Sequence, residues 1–390
     1  MEEQNLLIIH GGGPTAVLNA SLCGAIDEAK KSGKIKHIYG AINGTGGVLR
    51  EQFVELEKIE QDELQKLMQT PGSAIGTSRD AIEQEDYDKM LEIVQKYNIS
   101  YVLFNGGNGT MDTCGKFYKN CKNKGVSVWV MGIPKTMDND IAITDHSPGF
   151  GSAARYMAQS VQEVCADVQG LPIHVVIIEA SGRNAGWITA ASALAGENGG
   201  IGPDFIYLPE RPFIEEQFLE DIRLRLQEKT GIVVVVSEGL KNEKGEPVVK
   251  PIFKTGRATY FGDVSSHLAG VIIEKLGYKA RGEKPGLLGR SSIMLQSEVD
   301  KREAYLAGQV ACRAVLEQES GKMVAFRRLD KENYEIETFL VDIDEVMLYE
   351  RKMPDHFINE KGNGVTEEFL DWCRPLIGTE LPKMVFFNRK

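Results

Sequence analysis

Two aspartates separated by one residue, Asp138 and Asp140, stand in the run Gly132-Ile133-Pro134-Lys135-Thr136-Met137-Asp138-Asn139-Asp140, beside a hydroxyl and an ammonium. One carboxylate of such a pair can take the proton of an acceptor hydroxyl while the other holds a metal ion or orients its partner. The neighbouring lysine can neutralise phosphate charge. The run follows an apolar stretch, Val126-Ser127-Val128-Trp129-Val130-Met131, which reads as a buried strand. In open α/β sheets ligands bind at the carboxyl ends of strands, where this pair would stand. Asp and Asn also favour plain turns, so the motif alone leaves both readings open.

The elements before it repeat one design. An apolar strand at 5–10 runs into Gly11-Gly12-Gly13 and a helical stretch over 20–31. Strand, glycine turn, helix aims free backbone N–H groups at an anion, and glycine lets the backbone approach closely. The spacing matches neither the Walker A nor the dinucleotide pattern, and a simple tight turn is the competing reading. A second strand, 35–39, leads to the loop 41–47, followed by a charged helix over 54–68. The loop 70–79 then presents Ser78 and Arg79, the latter either solvated or a phosphate clamp. A helix at 86–97 and a strand at 101–104 lead to a third glycine turn, Gly106-Gly107-Asn108-Gly109-Thr110. Turns of this kind after successive strands predict a doubly wound half.

The second half offers a buried strand, Val175–Glu179, ending in Ala180-Ser181-Gly182-Arg183-Asn184-Ala185-Gly186-Trp187. Another, Ile232–Val236, ends in Ser237-Glu238-Gly239; a strand-end Glu is often merely solvated. Pro285-Gly286-Leu287-Leu288-Gly289-Arg290-Ser291 precedes an amphipathic helix over 301–318 that would close the core. From about 330 the tail alternates charged and aromatic residues and shows no chemistry.

At 390 residues the chain exceeds one usual core, so two lobes are expected. Apolar content of 42% and charged content of 26% suit a globular enzyme. The net charge of −11 disfavours non-specific nucleic-acid binding. No apolar run approaches the ~18 residues of a membrane helix, and the acidic start is unlike a signal peptide. The six cysteines form no CxxC pair, against a zinc site or disulfide framework. The cytoplasm is the expected compartment.

Together these segments resemble the phosphofructokinase family, whose members use ATP or pyrophosphate, over most of residues 5–290. The family's Gly-Gly turn, Ser-Arg loop, GGDGS or GGDDS loop and PGTIDND or PKTIDND run correspond to Gly12-Gly13, Ser78-Arg79, Gly106–Thr110 and Pro134–Asp140. The run Gly149-Phe150-Gly151-Ser152-Ala153, opening a long helix, is also similar. The resemblance implies Asp138 as base, and Asp140 with Asn108 as holders of Mg²⁺. It places Gly12, Gly13, Arg79, Asn108, Gly109 and Thr110 around the donor phosphates. Lys135, Thr136 and Arg183 would stabilise charge on the moving group. Asp138, Asp140, Ser181, Gly182, Arg183, Glu238 and Arg290 would meet the acceptor, with Arg290 as clamp for its phosphate. In the family an Asp at the position of Gly109 goes with pyrophosphate, so Gly109 favours ATP, while Lys135 and the Arg290 region look like the longer pyrophosphate-type members.

The expected fold is α/β, two doubly wound Rossmann-like lobes with the site in the cleft between them. The expected division is a donor lobe over 1–150 with later segments returning to it, an acceptor lobe over 151–320 and an extension over 321–390. The implied activity is transfer from ATP to the 1-hydroxyl of fructose 6-phosphate, with pyrophosphate as alternative donor. A kinase for another sugar phosphate or polyol stays open, because Ser181, Asn184, His174 and Asp263 depart from the family on the acceptor side. So does a non-catalytic sensor, Asn108 lacking the family's charge. No nucleic-acid or membrane partner is expected, and a homodimer or homotetramer is.

Overall fold

The computed structural model describes residues 4–387 except 172, 256, 257 and 348. In chain order the strands are β1 (Gln4–His10), β2 (Ile35–Ala41), β3 (Phe53–Glu55), β4 (Ile99–Gly106), β5 (Trp129–Pro134), β6 (Val175–Ala180) and β7 (Phe205–Tyr207). They continue with β8 (Ile232–Ser237), β9 (Pro251–Thr255), β10 (Ala258–Phe261), β11 (Ala280–Glu283), β12 (Lys322–Arg328) and β13 (Ile336–Asp342). The chain divides into two units. One comprises the residues up to Ser152 with Arg290–Arg351; the other comprises Ala153–Gly289 with the residues from Lys352 on.

The first unit holds a seven-stranded sheet in the order β13-β12-β5-β4-β1-β2-β3. The inner five strands run parallel and both edge strands antiparallel. Its centre reads as continuous apolar sequence because helices cover both faces. Leu7, Ile9, Val102 and Phe104 enter one core, and Leu6, Ile8, Leu103 and Met131 the other. The chain leaves β1 toward β2 and returns to β4 on β1's other side. The switch point therefore falls between β1 and β4, where the first and third glycine turns begin. The second unit holds a parallel sheet, β11-β6-β8-β7, and the antiparallel pair β9–β10.

Some local expectations change. Residues 53–55 form an edge strand paired with β2, and the helix begins only at Gln61, where Glu60 and Glu63 make a capping box. The loop after β2 contains a short helix, Gly44–Leu49, started by left-handed Asn43 and Gly44. Strand β5 lies further along than its apolar run suggests, because its partner β4 pairs Tyr101 with Trp129 and Gly106 with Pro134.

The helix Glu298–Leu316 belongs to the first unit, not to the range 151–320 assigned from sequence. Glycines on both sides let it cross helix Leu18–Ser32 backbone to backbone. A Cβ on Gly308 would lie 2.0 Å from the Ser21 carbonyl oxygen, and one on Gly24 2.0 Å from that of Tyr305. An alanine normally gains about 1 kcal/mol over glycine inside a helix. Here Gly308→Ala is expected to cost about 1–3 kcal/mol instead, because two packed helices must separate. A lower urea midpoint with unchanged slope would show it, whereas a higher midpoint would mean the helices yield freely.

Candidate functional site

The first unit gathers most of the residues singled out in the sequence at the carboxyl ends of β1, β4 and β5. Gly11 N–H donates to Asn105 O (3.0 Å) and Gly12 N–H to Ser78 O (2.9 Å), so the Ser78-Arg79 loop is zipped onto the first glycine turn. The Thr77 hydroxyl donates to Gly12 O at 2.7 Å. The third turn packs beside the first. A Cβ on Gly106 would stand 2.1 Å, and one on Gly11 2.3 Å, from the Thr110 hydroxyl. Helix Asn108–Asn123 then starts at Gly107 with no acid in its first turn, leaving its positive end to an anion.

The Asp-Asn-Asp loop closes the group. Lys135 N–H donates to Gly106 O (3.0 Å) and Thr136 N–H to Pro148 O (3.1 Å). Asn139 adopts φ 54°, and its side-chain oxygen accepts from Ser147 N–H at 2.9 Å. The Thr136 hydroxyl accepts from Asp138 N–H at 3.1 Å. Asn139 therefore shapes the loop while its two neighbours present their carboxylates.

Three cations converge on the first turn. Lys135 Nζ donates to Gly13 O at 2.5 Å. A Cβ on Gly13 would lie 2.8 Å from an Arg290 nitrogen and 3.4 Å from one of Arg79. The resemblance implied Arg290 as clamp of the acceptor phosphate; its guanidinium stands beside Arg79 at the first glycine turn. Burial lowers the Arg290 pKa, as does Arg79, and Asp138 acts the other way. Lys135 is buried, and burial lowers it to about 8. Asp138 opposes that shift, while Arg290 and Arg79 reinforce it. His10 behind it is driven to about 3 by burial and by the Lys135 charge, so it stays neutral.

The Lys135 shift carries a sign. Between pH 8 and 10.5 the unfolded chain holds this proton and the folded chain does not, so the ligand-free fold gains stability as pH rises there. Anion binding needs the charged form. KM for the phosphoryl donor is expected to climb above about pH 8. Lys135→Arg should move that limb upward, since a guanidinium stays charged. A donor KM independent of pH from 7 to 9.5 would refute the assignment.

Beside these cations lies an oxygen pair. Asn108 Nδ2 donates to the Asp140 backbone O at 3.1 Å, which ties the third glycine turn to the Asp-Asn-Asp loop. Asn108 Oδ1 and Asp140 Oδ1 are buried and accept no hydrogen bond from the protein. Burial raises the Asp140 pKa, partly offset by a bond from Thr136. Two uncompensated hard oxygens of this kind suit a divalent cation.

The second unit carries the other residues. Gly182 has φ 116°, and a Cβ there would meet Ala185 O at 2.5 Å, so only glycine fits. The Ser237 hydroxyl donates to Gly182 O (2.7 Å), and Glu238 Oε1 accepts from Gly182 N–H (3.2 Å). Glu238 is thus partly engaged in holding the Ser181–Arg183 loop, with Arg183 itself exposed. Gly239 backs onto Arg183 so closely that a Cβ would stand 1.6 Å from its carbonyl oxygen. His174 accepts from Lys279 N–H (3.2 Å) and packs edge-on against Tyr278. Asp263 pairs with Lys284 at 2.7 Å.

Several anchors escape a sequence reading. Asp300 accepts from Gly149 N–H (2.8 Å), Ser152 N–H (2.8 Å) and the Ser152 hydroxyl (2.6 Å). Burial pushes its carboxyl up to about 6 against those bonds. Its only local signal is Ser297 three residues earlier, the helix cap that accepts from Asp300 N–H. Glu210 holds Gly186 N–H at 2.8 Å, closing the Arg183 turn from its far end.

This geometry agrees with the comparisons to known proteins. Residues 5–315 match the family model described as Phosphofructokinase. The chain belongs to the phosphofructokinase family. It is 37% identical to a pyrophosphate–fructose 6-phosphate 1-phosphotransferase of Xanthomonas campestris pv. campestris, over 98% of this chain and 93% of the relative. It is 35% identical to a sulfofructose kinase of Alkalicoccus urumqiensis, over 94% of this chain and 93% of the relative. Among solved structures it is similar to a pyrophosphate-dependent phosphofructokinase of Nitrosospira multiformis, with TM-score 0.89 and 32% identity, covering 97% of this chain and 93% of the other. Family membership makes this chain a phosphotransferase, and the doubly wound α/β fold expected from sequence is that of its structural neighbours. No helix among the described residues is long and apolar enough to cross a membrane.

Proposed function

We propose that this phosphofructokinase relative transfers a phosphoryl group from pyrophosphate to the 1-hydroxyl of fructose 6-phosphate. The observation that carries this reading is the crowding of Lys135, Arg79 and Arg290 over the first glycine turn, with Asp138 against them. Three cations at one turn suit a short, densely charged donor. The full-length relatives named for pyrophosphate support the same donor, although the sequence alone favoured ATP.

In this reading Asp138 takes the proton of the acceptor hydroxyl as it attacks. Lys135 and Thr136, on the same loop, and Arg79 and Arg290, at the turn, hold the donor and stabilise the charge developing on it. The Asp140 and Asn108 oxygens would hold Mg²⁺, which neutralises donor charge when bound. Arg183 and Glu238 of the second unit, with Ser181 and Gly182, are the acceptor groups.

One observation favours ATP as a second donor. A Cβ on Gly109 would meet nothing within 4 Å, so the space that an Asp fills in pyrophosphate-type members is open. The acceptor can also differ, since a relative of similar identity is named for sulfofructose. The test is product formation by the purified chain with Mg²⁺, pairing each donor with fructose 6-phosphate and with sulfofructose. Turnover of pyrophosphate and fructose 6-phosphate is expected. Turnover of sulfofructose alone would reassign the acceptor, and no turnover in any pairing would overturn the reading.

A further inference from the structure

We infer that the C-terminal segment from Lys352 to Arg374 is a positioning element for Arg183: it fixes Gly186 and Trp187, and so holds the far end of the turn that presents this guanidinium. The tail shows no chemistry in its sequence, yet it belongs to the second unit and packs against the residues that follow Arg183. The part of Arg183 in binding the acceptor rests on the proposed function above; the bracing itself does not.

The turn is held at both ends. At its start, Gly182 is tied to the end of β8 through Ser237 and Glu238. At its far end, Glu210 Oε1 accepts from Gly186 N–H (2.8 Å) and from Met353 N–H (3.1 Å), so a single carboxylate oxygen joins the turn to the tail. The fit is tight, for a Cβ on Gly186 would stand 2.7 Å from the other Glu210 oxygen. Between these clamps, over 182–187, Arg183 and Asn184 are exposed and their neighbours are buried. Ordering such a turn costs conformational entropy that two exposed side chains do little to offset, so the buried contacts at its ends must do so.

Packing carries the tie further. Trp187 is fully buried at the start of the short helix Trp187–Ala191. Its ring lies 4.8 Å from that of Trp372 and 6.1 Å, edge-on, from that of Phe357. Phe369 completes the cluster, its ring 5.6 Å from that of Phe357. Aromatic pairs in such geometries attract one another beyond the area they bury, so the helix start is fixed in direction as well as in depth. Past the segment Ser192–Gly196, Arg374 Nε and Nη2 both donate to Glu197, at 2.9 and 2.7 Å. The stretch from Gly186 to Glu197 is thus pinned to the tail at its start, along its first helix and at its end.

Trp372→Ala tests this in the full chain, because Trp372 is only half-buried and can be trimmed without emptying a core. Amides of 182–187 should exchange hydrogen about 10-fold faster in the variant, with those of β8 unchanged. Exchange does not depend on turnover, so it reads the bracing whichever substrates the chain uses. With pyrophosphate and fructose 6-phosphate, acceptor KM is expected to rise about 10-fold while donor KM stays within about 2-fold. Trp372→Phe should restore most of the loss. Glu210→Ala, which removes the carboxylate joining Gly186 to Met353 and spares the aromatic cluster, should give the same split. With Arg183 replaced by alanine, adding Trp372→Ala should raise acceptor KM by less than about 2-fold more, since both act through one guanidinium. Full additivity of those two substitutions, a matching rise in donor KM, or unchanged exchange over 182–187 would each overturn the inference. Acceptor KM unmoved by Arg183→Ala alone, with exchange still faster in Trp372→Ala, would overturn the acceptor reading of this turn and uphold the bracing.

Discussion

Asp138→Asn is expected to lower kcat by on the order of 10²-fold or more while leaving both KM values within a few-fold. A factor of that size is about 2.7 kcal/mol of transition-state stabilisation. The substitution keeps shape and hydrogen-bonding reach but removes the group that can accept a proton. Its backbone N–H bond to Thr136 should survive, so the loop keeps its form. Asp138 also faces Lys135 and Arg290, and losing its charge leaves those cations freer to hold an anion. Donor KM should therefore fall slightly if it moves at all. Steady-state kinetics separate the two outcomes. A large rise in acceptor KM with kcat preserved would show that Asp138 binds and does not act as the base.

Gly109→Asp is expected to strip the chain of ATP use, by 10²-fold or more, and to leave pyrophosphate use within a few-fold. The position has open space around a would-be Cβ, so the new side chain fits without strain. It also stands in the first turn of a helix whose positive end lacks an acid. An Asp there is stabilised by the helix itself and confronts the phosphate that ATP has and pyrophosphate lacks, through repulsion and lost room. Measuring both donors in both proteins decides it. ATP use surviving in the variant, or absent from the native chain, would mean that this space does not select the donor.

The sequence by itself determined the α/β class and the main strands, because long apolar runs alternating with helical periods allow little else. It also determined the chemistry on offer: the Asp-Asn-Asp loop, the glycine turns and Ser78-Arg79 are legible because each needs special residues within a few positions. Where an element's bounds depend on its partner, the sequence failed. Strand β5 is positioned by β4, and residues 53–55 are extended because β2 offers them an edge.

Only the tertiary structure decided which charges act together. Arg290 stands far along the chain from Gly13, yet the return of residues 290–351 to the first unit brings its guanidinium onto that turn. Glycines 24 and 308 make that return possible by letting two backbones touch, which neither segment signals alone. Asp300, Glu303 and Arg351 stand far from the Asp-Asn-Asp loop in sequence, yet Asp300 accepts from Gly149 N–H, Glu303 bonds the His146 ring and Arg351 N–H donates to Asp140 O. Local motifs record which groups are needed, whereas their mutual electrostatics depend on distances and burial that arise only when remote segments pack.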